Sequence, residues 1–103
     1  MQINITENDT SKTIALQGCL DTGAAAEFSE AINKVIEDNP YGKLLEIDFK
    51  EVDFIASSGL RVMVIAAKKE AAAKRKIKLY GMNEVIKEVV EVTGLQNIFE
   101  IKA

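Results

Sequence analysis

Hydrophobic and polar positions change their period several times along the chain. Ile3 and Ile5, then Ile14 and Leu16, alternate with other residues at the two-residue step of a half-buried strand. The polar run Glu7-Asn8-Asp9-Thr10-Ser11-Lys12 separates them, so the pattern predicts a hairpin of strands over 2–6 and 12–18. From Asp21 the step lengthens. Ala25, Phe28, Ile32, Val35 and Ile36 recur every three or four residues and draw one apolar stripe on a helix. Asp21 or Thr22 suits its N-cap, and Asn39-Pro40-Tyr41-Gly42 stops it.

Leu44 to Phe49 then reads as a buried strand, followed by a short loop through Val52-Asp53-Phe54-Ile55 into a second helix. That helix runs from about Ser58 to Lys74, with Leu60, Met63, Val64, Ala67 and Ala71 facing the core. Ile77 to Tyr80 is a short strand ended by Gly81. Glu84 to Val92 is a third helix with Val85, Ile86, Val89 and Val90 buried, and Gly94 is placed to end it in the left-handed conformation. Leu95 and Ile98 to Ile101 supply the last strand. The order is β-β-α-β-α-β-α-β. Strands alternating with helices require crossover connections, hence a mixed, mostly parallel sheet with helices packed against it. One α/β domain over residues 1–103 is expected, with 44–48 and 77–80 as interior strands.

Composition narrows the functional classes. The chain of 103 residues has no histidine, which removes the commonest general base and metal ligand together. A single cysteine, Cys19, permits neither an intrachain disulfide nor a thiolate cluster, and its place in an apolar run predicts a buried, inert thiol. No cofactor or metal and no enzymatic activity are expected. No stretch has the roughly 20 apolar residues of a membrane span, and Met1-Gln2-Ile3-Asn4 does not begin a signal peptide. A cytoplasmic protein without membrane insertion is expected. Six basic residues (Lys68, Lys69, Lys74, Arg75, Lys76 and Lys78) face one acid, Glu70, within eleven positions of a chain whose net charge is −3. Basic residues at the end of a helix complement its macrodipole, and this reading outweighs direct nucleic-acid binding in an acidic chain.

One segment carries candidate chemistry: Phe54-Ile55-Ala56-Ser57-Ser58-Gly59-Leu60. Two hydroxyls fall in a strand-to-helix turn, where open α/β sheets build their sites. Free N–H groups at the helix start tolerate phosphate, and a phosphate on Ser57 would change the surface charge by about −2. The plainer alternative is that Ser57 or Ser58 caps the helix, and that Gly59 only lets the helix approach the sheet. A nucleophile elbow needs a histidine partner and a P-loop needs a Gly-x-x-x-x-Gly-Lys-Ser/Thr run; the chain has neither.

Four motifs in order resemble a STAS domain of the anti-sigma factor antagonist family. They are Gly18-Cys19-Leu20-Asp21, Leu45 to Phe49 with Val52-Asp53-Phe54-Ile55, Ala56-Ser57-Ser58-Gly59-Leu60, and Thr93-Gly94-Leu95 with Ile98-Phe99. The resemblance implies a switch. In that family the unphosphorylated domain binds an anti-sigma factor that is also a serine kinase, releasing the sigma factor. Kinase action on a loop serine ends the binding, and a serine/threonine phosphatase restores it. The acceptor position corresponds to Ser57, with Ser58 the second choice. Partner contact is expected over Asp21, Ser57, Ser58, Gly59, Leu60 and Arg61. Asp21 also reads as a plain N-cap. Arg61 either pairs with a phosphate or is solvated. The chain departs from the family pattern at Ala56, which stands where the loop has an aspartate. That loss keeps an alternative in view, a STAS accessory subunit or regulatory partner of a membrane transporter that is not phosphorylated. A small-molecule sensor using the same crevice is a third.

Overall fold

The computed structural model describes residues 1–102. Its elements are β1 (Gln2–Glu7), β2 (Ser11–Leu20), α1 (Thr22–Glu37), β3 (Leu44–Ile55), α2 (Ser57–Ala72), β4 (Ile77–Tyr80), α3 (Glu84–Val92), a single 3-10 turn (Leu95–Asn97) and β5 (Phe99–Ile101). One five-stranded sheet has the spatial order β1-β2-β3-β4-β5. β1 and β2 pair antiparallel, with Ile3 opposite Leu16 and Ile5 opposite Ile14. The other three pairings are parallel. The mixed α/β sheet expected from the pattern is the observed architecture.

The alternation along the strands explains the core. Ile14 and Leu16 of β2, Leu45, Ile47 and Phe49 of β3, Ile77 and Leu79 of β4 and Phe99 of β5 are all buried. They join Phe28, Ile32 and Val35 of α1, Met63 and Ala67 of α2, and Ile86 and Val90 of α3 in one cluster. The intervening Glu46, Asp48, Lys78 and Tyr80 are only half-buried. Lys78 reaches Glu46 at 3.7 Å and Lys50 reaches Asp48 at 3.5 Å.

The structure corrects several sequence expectations. β3 does not end at Phe49 but continues to Ile55, because register shifts in its pairing with β2 keep Val52 opposite Gly18 and Phe54 opposite Cys19. β2 likewise runs on to Leu20. Cys19 is exposed, not buried, because the inward positions of β2 are Ile14, Leu16 and Leu20. On α2 the buried residues are Gly59, Met63, Ala66, Ala67 and Glu70; Leu60 and Val64 are half-buried and Ala71 is exposed. Glu70 is buried with Arg75 Nε donating to its Oε2 at 2.8 Å across the turn after the helix, where Lys74 takes a φ of +60°, while its Oε1 has no hydrogen-bond partner among the described residues. Leu95 lies in the 3-10 turn and not in the last strand. On α3 only Ile86 and Val90 are buried, whereas Val85 is 59% exposed. Gly94, at φ +75°, turns the chain after α3 as its position predicts.

Candidate functional site

β2 and β3 are parallel neighbours, and each is followed directly by a helix. Their carboxyl ends therefore lie side by side and deliver Asp21 and Ser57 to the same end of the sheet. Leu20 pairs with Ile55 as the last rung. The Ala56 N–H then donates to the Leu20 carbonyl at 2.8 Å, tying the two strand ends together beyond the ladder. Two residues further along each segment, the Ser58 and Thr22 hydroxyl oxygens lie 3.4 Å apart. Two of the expected site segments, Asp21 and Ser57–Ser58, are thus brought together.

The first turn of α1 is closed by its own side chain. Asp21 Oδ1 accepts from the Ala24 N–H at 2.8 Å, which makes Asp21 the N-cap. Its carboxylate remains exposed while doing so.

The first turn of α2 is built otherwise. Because β3 extends to Ile55 and the helix begins at Ser57, the capping position falls on Ala56, which has no side-chain acceptor. The expectation that Ser57 or Ser58 caps the helix is corrected. Ser57 is the first helical residue, exposed, and its hydroxyl makes no hydrogen bond among the described residues. The first intrahelical bond is donated by the Leu60 N–H to the Ala56 carbonyl at 3.1 Å. By helix geometry the N–H groups of Ser57, Ser58 and Gly59 precede any intrahelical acceptor, and no acidic residue in the first turn offsets the positive end of the dipole. The arrangement leaves a free hydroxyl beside uncompensated donors, which can take added negative charge.

Gly59 faces inward. A Cβ there would lie 2.7 Å from Leu20 Cγ, 2.9 Å from Leu20 Cδ2 and 3.2 Å from Ile55 Cγ1. Its lack of a side chain serves the packing of α2 on the sheet, so it supports the loop from beneath instead of meeting a second molecule. Leu60 is half-buried against the core, and Arg61 is exposed with no ion pair among the described residues.

Two features of this end were not anticipated. Phe54 is 50% exposed, next to the loop and opposite the exposed Cys19. Its exposure comes from a second break in alternation, between Val52 and Ile55, where the register with β2 shifts between Gly18 and Cys19; no local pattern announces it. Thr22, read only as a capping option, contributes the hydroxyl that meets Ser58. A groove of about 500 Å³ lies elsewhere, between β1 and the end of α1, lined by Ile5, Glu7, Lys12, Val35 and Asp38. It shares no residue with the serine loop. No helix among the described residues is long and apolar enough to cross a membrane.

Comparison with known proteins gives a consistent result. The family model described as "STAS domain" matches residues 2–103. An anti-sigma-B factor antagonist of Listeria monocytogenes is 33% identical over 103 residues, covering 99% of this chain and 89% of that protein. Among solved structures, the anti-sigma factor antagonist SpoIIAA in its unphosphorylated form superposes with a TM-score of 0.77 at 16% identity, over 99% of this chain and 88% of that one. The Bacillus cell fate determinant SpoIIAA in the phosphorylated form superposes with a TM-score of 0.76 at 17% identity, over 99% and 92% of the two chains. At these identities the structural likenesses establish the fold.

Proposed function

The chain belongs to the STAS domain family, and we propose that it is an anti-sigma factor antagonist whose binding is switched at Ser57. The observation that carries this reading is the exposed, hydrogen-bond-free Ser57 hydroxyl at the uncapped start of α2, at the same sheet end as Asp21. The name of the Listeria relative supports the antagonist role, and the two forms of SpoIIAA support a phosphorylation switch on this fold. The partner is an anti-sigma factor with serine kinase activity, and a serine/threonine phosphatase reverses the modification. The domain acts by binding and catalyses nothing itself.

On this reading Asp21, Ser57, Ser58 and Arg61 form the contact surface, with Leu60 and the buried Gly59 supporting it. Ser57 occupies the centre of the interface. An unmodified hydroxyl fits a closely packed surface, whereas a phosphate places about two negative charges there. A desolvated dianion facing acidic or apolar groups costs several kcal/mol, at least about a hundredfold in dissociation constant. Asp21 places a carboxylate at the same end, so the partner surface must also accommodate negative charge there.

The test uses the serine kinases of the histidine-kinase-like ATPase fold encoded in the same genome. Intact-mass analysis after incubation with kinase and ATP should show one phosphate on wild type and none on Ser57→Ala. Ser57→Ala should bind the kinase normally, and Ser57→Asp should bind more weakly. Phosphate on Ser57→Ala at the wild-type level would place the acceptor elsewhere. Ala56 favours a second reading, the unphosphorylated transporter-associated STAS domain, because it removes the carboxylate next to the acceptor. That reading replaces the first if no kinase modifies wild type and Ser57→Asp leaves partner binding unchanged.

A further inference from the structure

The third helix has more apolar side chains than the core uses. Its sequence, Glu84-Val85-Ile86-Lys87-Glu88-Val89-Val90-Glu91-Val92, buries only Ile86 and Val90. Val85 is 59% exposed and Val92 is 80% exposed, with Val89 half-buried between them. These three valines fall at i, i+4 and i+7 and form one ridge along the outside of the helix. The ridge borders a shallow groove of about 280 Å³ lined by Val85, Glu88, Val89, Val92 and Thr93.

Folding does not account for these residues. β-branched side chains lose rotamer freedom in a helix and lower its propensity, so valine at an exposed helical position brings a cost without burial to offset it. A contiguous exposed apolar ridge rimmed by charge is the form of an interaction surface. The rim here has one sign. Glu84, Glu88 and Glu91 run along the helix one residue out of step with the valines, so an acidic ridge flanks the apolar one. Lys87 reaches Glu84 at 3.8 Å, and Glu88 and Glu91 have no ion pair among the described residues.

We infer that α3 is a docking ridge for a cationic amphipathic helix of a partner protein, bound by an apolar stripe laid along Val85, Val89 and Val92 with Lys or Arg residues beside Glu88 and Glu91. Helix-on-helix recognition of this kind is read through anchors at i, i+4 and i+7, the spacing that the ridge presents. Charge complementarity selects the cationic partner over a second copy of this acidic chain, whose own α3 would bring glutamates against glutamates. The ridge uses other residues than the serine loop, Val85 to Val92 against Ser57 to Arg61, although the α3 N-cap Asn83 donates to the Val52 and Asp53 carbonyls at the same sheet end. The inference therefore does not depend on the switch.

The probe is a synthetic amphipathic peptide of leucine and lysine, labelled for fluorescence anisotropy, with a scrambled peptide of the same composition as reference. Wild type should bind the amphipathic peptide at least about tenfold more tightly than the scrambled one, because scrambling preserves charge and destroys the apolar stripe. The double variant Val85→Ser, Val92→Ser keeps every charge and should lose that advantage. Both side chains are largely exposed, and circular dichroism will confirm that this variant is folded. Glu88→Lys with Glu91→Lys should also weaken binding at least about tenfold. Glu27→Lys with Glu30→Lys, a matched reversal on exposed positions of α1, should leave it within about twofold. Ser57→Asp should have no effect, which separates failure here from failure of the switch. Equal binding of the two peptides, or an unchanged affinity of the serine double variant, would overturn the proposal. So would peptide-induced chemical shift changes in α1 and not α3, or self-association of the free chain that the serine double variant abolishes, which would assign the ridge to a second copy.

Discussion

Helices α1 and α2 begin side by side on adjacent parallel strands, and their first turns are held in opposite ways. At α1 a local device suffices: Asp21 accepts the Ala24 N–H, and a Cβ on Gly23 would meet Asp21 Oδ1 at an ordinary contact distance of 3.5 Å. At α2 no side chain caps the helix, and the turn is fixed by tertiary contacts. The Ala56 N–H is held by Leu20, and Gly59 is pressed against Leu20 and Ile55. The difference shows how a serine hydroxyl can be left unused. A helix start stabilised from beneath does not need its own hydroxyl as a cap. One turn is secured by its sequence, the other by its neighbours.

Substitutions can break that contrast. The largest effect is expected in the shared core below both turns. Ile47, fully buried between β2 and β4, should cost about 2–5 kcal/mol when replaced by alanine, as read from urea unfolding. A loss below about 0.5 kcal/mol would remove it from the core. Next come the two glycines, where the same change should have opposite signs. Gly59→Ala drives a methyl into Leu20 and should destabilise by about 1–3 kcal/mol. Gly23→Ala meets only an ordinary contact, Asp21 Oδ1 at 3.5 Å, without a positive φ, and should stabilise by about 0.4–1 kcal/mol. Equal effects at both sites would mean that the packing difference between the turns does not govern their stability.

The caps should also respond in opposite directions. Asp21→Ala removes a used acceptor and should cost about 1 kcal/mol, whereas Ala56→Asp supplies a missing one and should gain a similar amount. On the proposed switch, Ala56→Asp should in addition speed phosphorylation of Ser57 in a timed intact-mass assay. Ser58→Ala should be nearly silent, within about 0.5 kcal/mol, because among the described residues its hydroxyl meets only Thr22, at 3.4 Å.

The sequence made some of this legible and concealed the rest, for physical reasons. The α1 stripe of Phe28, Ile32 and Val35 was readable because a sixteen-residue helix repeats its period often enough to show one face. The meeting of Asp21 with the serine loop followed from two strand-to-helix turns on parallel strands. The identity of the α2 cap did not. Two adjacent serines outbid alanine on local preference, and only the extension of β3 to Ile55 through irregular pairing moves the cap to Ala56. Glu70 was hidden for a similar reason, since its burial depends on Arg75 returning to it after a left-handed turn at Lys74. The α3 valines show the converse error. Apolar character marked Val85 and Val89 as core, but a short helix has only one narrow inner face, and Ile86 and Val90 fill it.

Ser57 stands on helical backbone, one residue after an amide locked to the neighbouring strand. Its backbone is set by the fold before any enzyme arrives. Protein kinases that draw an extended segment into a cleft would have to unwind this turn and pull Gly59 away from Leu20. On the proposed switch, an enzyme that modifies Ser57 would instead accept a folded surface as its substrate, with Asp21 and the α2 start as one rigid shape. On that same proposal, a free peptide spanning Lys50 to Val64 would carry every local residue of the loop and still be a poor substrate, because the shape to be recognised would be an assembled corner of the domain and not a string of letters.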